Sequence, residues 1–486
     1  MDAVWWIPLL AACDGPRPEP VDETAEPDRR PEPHAELPWA GPNVLLVMVD
    51  DVGVDKIAAY GEVDVELHTP TIDRLAAQGV MFRNAWGYTA CSPARGAYMT
   101  GRHARRTGLG TNWNYSTQLE GEYALPLEEV TIAEVVAESP DGWSSAFLGK
   151  WHLTTTQDHF ATDPVLQGWQ SFSGILENLQ VPPDDPKVPG SYYHWKRWDG
   201  DGSVHVDDRY ATTAVVDDAI ERLHEMSEPW LLGIGFQSCH VPLSVPPDDL
   251  HTYVATGTPD GREVTRAMVE AMDTELARLL AAIPPGVRAR TTIVFVGDNG
   301  TDTFAAEDPT GALAGKGTLF DTGVRIPLIV TGPLVGQPGS TSDALVSLVD
   351  VLPTVADLAG VDPSTLERAG APLVIDGRSL RPVLEDPSAS IHDTVWTEKF
   401  GALGVEPLRY DQRAIRDERF KLIRNATTGD DQFYDYAGRG SAALREGPEL
   451  LRTEIPLSEE HQQAYDRLSA EMDARITAME ADLPFP

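Results

Sequence analysis

Residues 43–51 read NVLLVMVDD, seven uncharged residues rich in branched aliphatic side chains, followed by two aspartates. A short apolar run bounded by polar residues is typical of a β-strand that is buried on both faces. Asp50 and Asp51 come directly after the point where this strand would end. We therefore predict a buried strand that carries two carboxylates at its carboxyl end.

The same arrangement recurs three times along the chain. Residues 144–152 read SSAFLGKWH, residues 230–240 read WLLGIGFQSCH, and residues 291–299 read TTIVFVGDN. In each case a short apolar run leads into charged or hydrogen-bonding residues. These patterns predict three further buried strands that end in polar side chains.

Helical patterns separate the predicted strands, over residues 71–78, 131–138, 212–226 and 263–283. This alternation predicts an α/β fold, a doubly wound and mostly parallel sheet flanked by helices. Ligands of such sheets bind outside the carboxyl ends of the strands. We therefore expect the four polar clusters to meet in one crevice.

The pattern changes in the C-terminal part of the chain. Residues 394–398, 412–416 and 420–423 predict short strands, and residues 458–479 predict a helix. An antiparallel sheet with a terminal helix is a smaller α+β domain. We predict a division into a signal segment, a tether, a catalytic domain and this C-terminal domain, at residues 1–13, 14–40, 41–380 and 381–486.

The N-terminal residues resemble a bacterial lipoprotein signal. Residues 4–12 are apolar, and LAAC at 10–13 resembles a lipobox, in which the cysteine is lipidated. Residues 14–38 contain seven prolines and eight acids, which predicts an extended tether. We expect a location outside the cytoplasm, in the bacterial periplasm or at the cell surface, with membrane contact only through a lipid on Cys13. The alternative is an apolar segment without a targeting role, because residues 1–3 carry no basic side chain.

The net charge of −38 argues against nucleic acid as a partner, because phosphate binding requires a basic surface. Residues 74–119 nevertheless contain six arginines and no acid. This local charge indicates either a small anionic ligand or salt-bridge partners for acidic helices. The three cysteines argue against a disulfide framework.

Two of the polar clusters offer oxygen ligands for a metal ion. Asp50, Asp51, Asp298 and Asn299 suit a hard cation such as Ca²⁺ or Mg²⁺ and do not suit zinc, which favours nitrogen and sulfur. Taken singly, each pair also fits a helix cap or a solvated turn. The other clusters, with Lys150, His152, His240 and Lys316, offer cations for a sulfate or phosphate and a proton donor for a leaving group, although each histidine alone also fits a structural role.

Residues 91–101 read CSPARGAYMTG. A cysteine followed by proline at the second position and arginine at the fourth, closing in Thr-Gly, resembles the signature in which sulfatases convert cysteine to formylglycine. Further segments look like the type I sulfatases of the alkaline phosphatase superfamily, and QSCHVPL at 237–243 is similar to the arylsulfatase B-like branch. The segments of this resemblance, which covers residues 43 to 480, are 42–51, 149–153, 297–300, 316–327, 416–422 and 433–435.

The resemblance implies a role for each candidate residue. A hydrated formylglycine at Cys91 would attack sulfur and bind a divalent cation, Ca²⁺ with Mg²⁺ as the alternative. The other metal ligands would be Asp50, Asp51, Asp298 and Asn299. Arg95 and His152 would hold the hydrate, Lys150 and Lys316 would bind the sulfate, and His240 would protonate the departing alcohol.

The resulting hypothesis is a sulfatase acting on a small sulfated sugar or an aryl sulfate, with a formylglycine-generating enzyme as its maturation partner. Two alternatives stay open at this point. One is a phosphonate or phosphodiester hydrolase with the same nucleophile, and the other is a catalytically silent binding protein at the cell surface.

Overall fold

A computed structural model describes ten stretches of the chain: residues 42–112, 124–154, 160–179, 190–253, 260–307, 315–401, 410–438, 446–447, 449–452 and 455–481. The predicted lipobox at Cys13 and the tether lie outside the described residues. These stretches belong to one compact unit, and the boundary between residues 380 and 381 stays a prediction.

Ten strands of the described part form one large mixed sheet. Its members in chain order are β1 (Asn43–Val49), β2 (Val80–Trp86), β3 (Ser144–Lys150), β4 (Ser171–Ile175), β5 (Trp195–Asp199), β6 (Val204–Asp207), β7 (Trp230–Phe236), β8 (Thr291–Gly297), β9 (Leu328–Thr331) and β10 (Ser340–Ser347). Their spatial order is β10-β2-β9-β8-β1-β7-β3-β4-β5-β6.

The centre of this sheet is parallel, as the alternation of strands and helices predicts. β1 pairs in parallel with β7 and β8, and β3 pairs in parallel with β7 and β4. β9 runs antiparallel to β8 and β2, and β5 is antiparallel to β4 and β6. The four predicted strands are thus adjacent, in the order β8-β1-β7-β3, and their carboxyl ends lie side by side.

The residues of β1 alternate between two separate hydrophobic clusters. Val44, Leu46 and Met48 pack in one cluster. Leu45, Val47 and Val49 pack in the other. Successive side chains of a strand point to opposite faces, so the sheet has a core on each side. This confirms that the strand at 43–49 is buried on both faces.

Helices cover the two faces of the sheet, and the predicted helices are found within two residues of their expected bounds. Thr131 and Asp260 act as N-caps, each within a capping box, so the two helices begin at the residues that follow them, Ile132 and Gly261. The α-helices before the C-terminal sheet are α1 (Pro70–Gln78), α2 (Cys91–Thr100), α3 (Ala104–Thr107), α4 (Ile132–Ala137), α5 (Asp163–Leu166), α6 (Ala211–Glu225), α7 (Gly261–Ala282), α8 (Pro285–Arg288), α9 (Asp321–Val324), α10 (Val351–Ala359) and α11 (Arg381–Glu385).

Shorter elements complete this part of the chain. Within the described residues, four 3₁₀ turns cover Val54–Lys56, Ala58–Tyr60, Leu348–Asp350 and Pro363–Thr365. A two-stranded ribbon consists of β11 (Glu367–Arg368) and β12 (Ala371–Pro372).

The C-terminal part forms the expected antiparallel sheet with a terminal helix. Leu468, Met472 and Ile476 of the helix pack on the sheet at Leu422 and Phe433. In the described residues, no helix is long and apolar enough to cross a membrane. The elements are β13 (Val395–Phe400), β14 (Asp411–Arg416), β15 (Phe420–Asn425), β16 (Asp430–Asp435) and α12 (Glu459–Glu480).

Candidate active site

The structure brings all ten predicted site residues to one place. Seven of them end or follow the central strands: Asp50 and Asp51 after β1, Lys150 and His152 at the end of β3 and just after it, His240 after β7, and Asp298 and Asn299 directly after β8. Nine of the ten are buried, and Lys316, from the loop before α9, is half-buried.

The cysteine signature folds as α2. Cys91 is the first residue of this helix and Arg95 lies four residues further, so the two side chains project from the same face. Pro93 is tolerated because the first turn of a helix needs no amide donor. Gly101 ends the helix in the left-handed region, with a φ of 66°.

Two strand-end residues adopt an unusual backbone conformation. Asp51 and His152 each have a φ of 59°, in the left-handed region that favours glycine. Such a conformation costs about 1–3 kcal/mol and persists only where the surroundings impose it. Asp51 is held by its own amide, which donates to Asp298 Oδ1 at 3.1 Å. Both strained residues lie in the candidate site.

The thiol of Cys91 lies among charged groups. Sγ donates to Asp50 Oδ1 at 3.2 Å and accepts from Lys316 Nζ at 3.4 Å. Burial raises the pKa of the thiol, and the carboxylate of Asp50 raises it further, against the opposing effect of Lys150 and Lys316. Because a reactive cysteine needs a lowered pKa, the unmodified thiol is poorly suited to act as a nucleophile.

The carboxylates of Asp50, Asp51 and Asp298 converge on one point. Their ligand atoms lie within 4.8 Å of one another. Asp298 Oδ2 and Asn299 Oδ1 are buried and have no hydrogen-bond partner in the described part of the chain. Burial raises the pKa of Asp298, as do Cys91 and Asp50. Converging acids and unpaired buried oxygens fit a hard divalent cation, which takes oxygen ligands.

Each cation of the site contacts a carboxylate. Lys150 Nζ donates to Asp50 Oδ2, and Lys316 Nζ lies 2.5 Å from Asp51 Oδ1. Arg95 lies 3.7 Å from Asp298 Oδ2, and its other terminal nitrogen donates to the backbone carbonyl of Lys150 at 2.5 Å. Burial opposes ionisation of Asp50, but Lys150, His240 and Arg95 outweigh it and hold its pKa well below the usual range.

The two histidines differ in orientation. His240 Nδ1 lies 2.6 Å from the carbonyl oxygen of Val241, so Nδ1 carries a hydrogen and Nε2 is the titrating atom. That Nε2 lies 3.9 Å from Asp51 Oδ2. Burial lowers the pKa of both His240 and His152, and Lys150 lowers both further. At His152, Nδ1 is buried without a hydrogen-bond partner in the described residues.

Two polar residues of the site were not among the predicted ones. Asn112 Nδ2 lies 3.9 Å from Cys91 Sγ, and its Oδ1 accepts from the amide of Ser92 at 2.9 Å. Gln237 is buried, and both polar atoms of its amide lack a partner within the described residues. Gln237 was visible in the sequence as the first polar residue after β7, whereas no sequence signal singles out Asn112.

Half of the arginines in residues 74–119 have acidic partners. Arg102 pairs with Glu129 at 2.9 Å, Arg105 with Asp411 at 2.7 Å, and Arg106 with Asp376 at 2.9 Å, whereas Arg95 belongs to the candidate site. The salt-bridge interpretation therefore holds for three of the six arginines.

Known proteins resemble this chain over most of its length. A family profile described as "Sulfatase" matches residues 42–361, and one described as "N-sulphoglucosamine sulphohydrolase, C-terminal" matches residues 312–440. Arylsulfatase G of Rattus norvegicus is 27% identical over 432 residues, which are 80% of this chain and 77% of that protein. N-acetylgalactosamine-6-sulfatase of Rattus norvegicus is 28% identical over 367 residues, 71% of this chain and 66% of that protein.

A solved structure supports the same fold. It is a complex of a protein with its substrate D-glucosamine-2-N,6-O-disulfate, and it superposes with a TM-score of 0.68 at 19% identity. The match covers 90% of this chain and 98% of that one.

Proposed function

Because this chain belongs to the sulfatase family and is a sulfuric ester hydrolase, we propose that it uses a formylglycine formed from Cys91 and a divalent cation to hydrolyse the sulfate ester of a sugar. One observation carries the proposal: Cys91 Sγ lies 3.2 Å from Asp50 Oδ1, in a buried cluster of three carboxylates and several cations. Formylglycine supplies a hydrated aldehyde as nucleophile, which removes the difficulty that burial poses for a thiolate.

The ligands that would hold the cation are Asp50, Asp51, Asp298 and Asn299. Their converging oxygens suit Ca²⁺, with Mg²⁺ as the alternative ion. Such an ion supplies Lewis acidity at the reacting sulfate when it is bound. It also adds positive charge beside Asp298 Oδ2 and Asn299 Oδ1, which are buried and accept no hydrogen bond within the described residues.

The cations of the site would bind the sulfate group of the substrate. Lys150 and Lys316 flank Cys91 and its neighbour Asp50, so their ammonium groups lie where negative charge would accumulate. Arg95 would hold the nucleophile, because it projects from the same face of α2. His152 would also hold the nucleophile, through the buried nitrogen Nδ1 of its ring.

His240 would protonate the departing alcohol from Nε2. The hydrogen bond of Nδ1 with the carbonyl of Val241 fixes the ring and directs Nε2 toward the carboxylate cluster. Burial lowers the pKa of this histidine. A bound sulfate adds negative charge beside it and thereby favours the protonated ring that a general acid needs.

The relatives favour a sulfated sugar over a phosphorus ester. One is named an N-acetylgalactosamine-6-sulfatase, and the solved structure described above holds a disulfated glucosamine. These names belong to those proteins, and a sulfated sugar is our proposal for this one. The arylsulfatase B-like branch stays a prediction.

Peptide mass spectrometry across Cys91 tests the nucleophile. Protein produced together with a formylglycine-generating enzyme should yield this peptide with the mass of the aldehyde, and the Cys239 peptide from the same digest should retain its thiol. The matured protein should turn over 4-nitrophenyl sulfate faster than a phosphate diester. An intact thiol at Cys91 in an active preparation, or faster turnover of the diester, would refute the proposal.

Chelation tests the cation. Treatment with a chelator should abolish turnover of 4-nitrophenyl sulfate and lower the Tm, because the three converging carboxylates lose the cation bound between them. Addition of Ca²⁺ should restore both the turnover and the Tm. Whether Mg²⁺ restores them as well distinguishes the two ions. Asp298→Asn should weaken the rise of Tm with Ca²⁺; a Tm that does not depend on Ca²⁺ in the unsubstituted enzyme would contradict the assignment.

We also propose that the enzyme acts outside the cytoplasm, attached to a membrane by a lipid on Cys13. The sequence at residues 10–13 and the acidic, proline-rich residues after it support this location. Radiolabelled fatty acid should be incorporated into the full chain and not into Cys13→Ser. Equal labelling of both proteins would refute the anchor.

A further inference from the structure

Lys399 lies near the end of β13, where the C-terminal sheet meets the loop that carries Lys316. Its Nζ donates to the carbonyl oxygen of Gly317 at 2.7 Å, and the side chain is half-buried. Because Gly317 directly follows Lys316, the ammonium group of Lys399 lies one residue away from a candidate sulfate ligand.

The other side of β13 also borders the site. The amide of Phe400 donates to the carbonyl of Gly110 at 3.1 Å, and Asn112, two residues further, contacts Cys91 Sγ at 3.9 Å. Lys399 and Phe400 therefore lie between two segments that each send a side chain to Cys91. This places Lys399 at the rim of the active site.

Lys399 differs from the other cations around the site. Lys150, Lys316 and Arg105 each contact a carboxylate. Within the described residues, no carboxylate lies within ion-pair distance of Lys399; its neighbours are the Gly317 carbonyl and the ring of Tyr410, 5.6 Å from Nζ. Burial lowers the pKa of this lysine. An ammonium group in this environment gains from an anionic partner, and among the described residues a single acceptor, the Gly317 carbonyl, takes up one of its three N–H donors.

We propose that Lys399 binds a second anionic group of the substrate, on the sugar that carries the reacting sulfate or on the next one. The proposal rests on the proposed function, and it narrows the substrate class to sugars with two negative charges. A carboxylate and a second sulfate offer the same chemistry to an ammonium group, namely anionic oxygens that accept its hydrogen bonds.

Inhibition of 4-nitrophenyl sulfate turnover by three sugars tests the proposal. Galactose 6-sulfate carries one charged group, D-glucosamine-2-N,6-O-disulfate carries two sulfates, and glucuronate 2-sulfate carries a sulfate and a carboxylate. At least one doubly charged sugar should bind the matured enzyme about 10- to 100-fold more tightly than galactose 6-sulfate, the range for one hydrogen bond to a charged group. Which of the two binds more tightly identifies the second anion.

In Lys399→Met, which keeps most of the side-chain volume, this advantage should disappear, and Lys399→Arg should restore part of it. The matched control is Lys196→Met, at an exposed lysine of β5, which should leave the advantage intact. Equal weakening of all three sugars by Lys399→Met would show that Lys399 only holds the Lys316 loop. That result would overturn the proposal, as would equal binding of all three sugars to the unsubstituted enzyme.

Failure of the proposed function gives a different result. A protein with formylglycine at residue 91 that releases sulfate from neither 4-nitrophenyl sulfate nor any of the three sulfated sugars would refute the sulfatase mechanism. The sugar affinities, measured then by calorimetry, would still decide whether Lys399 recognises a second charge.

Discussion

The large sheet and the C-terminal sheet contribute to the site in different ways. Seven central strand-end residues and helix α2 supply nearly all of the candidate reacting groups. The C-terminal sheet supplies none of the ten predicted residues, yet it holds the loop from which Lys316 projects. Lys421 Nζ donates to Asp321 Oδ1 at 2.8 Å, and Lys399 donates to Gly317 at 2.7 Å. The large sheet and α2 thus provide the candidate reacting groups, whereas the C-terminal sheet positions the loop of Lys316.

Among the substitutions that test this difference between the two sheets, removal of Cys91 should have the largest effect. Cys91→Ala should lower kcat/KM for 4-nitrophenyl sulfate by at least about 10³-fold, because the residue supplies the nucleophile. The matched control is Cys239→Ala, which removes another buried thiol whose Sγ contacts the backbone carbonyl of Asp51 at 3.6 Å. Steady-state kinetics of both matured variants measures the difference, and a similar loss in both would mean that Cys91 acts through packing.

Removal of Lys421 should break the link between the two sheets. Its ammonium group is fully buried between Asp321 and Glu446, at 2.8 and 2.6 Å, and lies 4.7 Å over the ring of Trp86. Lys421→Met should lower the free energy of unfolding by about 3–5 kcal/mol, because two buried carboxylates lose the ammonium group that they share. Urea denaturation measures this loss.

The exposed Lys196→Met variant provides the baseline for that measurement, with an expected change within about 0.5 kcal/mol. If Lys421→Met stays within the same range, the ion pairs at Asp321 do not hold the C-terminal sheet to the loop.

Removal of a helix cap should have the smallest effect, and the loss of stability should be similar in the two regions. Ser458 Oγ accepts from the amide of His461 at 3.2 Å at the start of α12, and Asp260 accepts from the amide of Glu263 at 2.9 Å at the start of α7. Ser458→Ala and Asp260→Ala should each lower the free energy of unfolding by about 1 kcal/mol. Turnover should persist in both; an inactive Ser458→Ala would indicate that the C-terminal helix affects the chemistry directly.

The sequence predicted the central part of the molecule well because its signals are local. An apolar run such as residues 43–49 specifies a buried strand through side-chain pattern alone, and parallel strands place their carboxyl ends at one edge. Asp50, Lys150, His240 and Asp298 could therefore be expected to converge. The helix that carries Cys91 and Arg95 was not among the predicted helices, although the sequence motif places the two residues four positions apart.

Long-range contacts explain what could not be predicted. Arg105 was a candidate for anion binding by charge alone, but its amide and side chain pair with Glu398 and Asp411, about three hundred residues away in sequence. Asn112 enters the site only because its side chain contacts the start of α2, where it accepts a hydrogen bond from the amide of Ser92. No periodicity near these residues encodes such pairings.

By itself, the sequence determined the four central strands of the large sheet, the edge at which their polar residues gather and the family signature at Cys91, because each depends on neighbouring residues. Only the tertiary structure decided which charges are compensated and which are not. That distinction separates Arg105, which has buried acidic partners, from Lys399, which has none among the described residues. A charge acquires its role from groups brought near it by folding, since electrostatic interactions depend on distance in space and on burial.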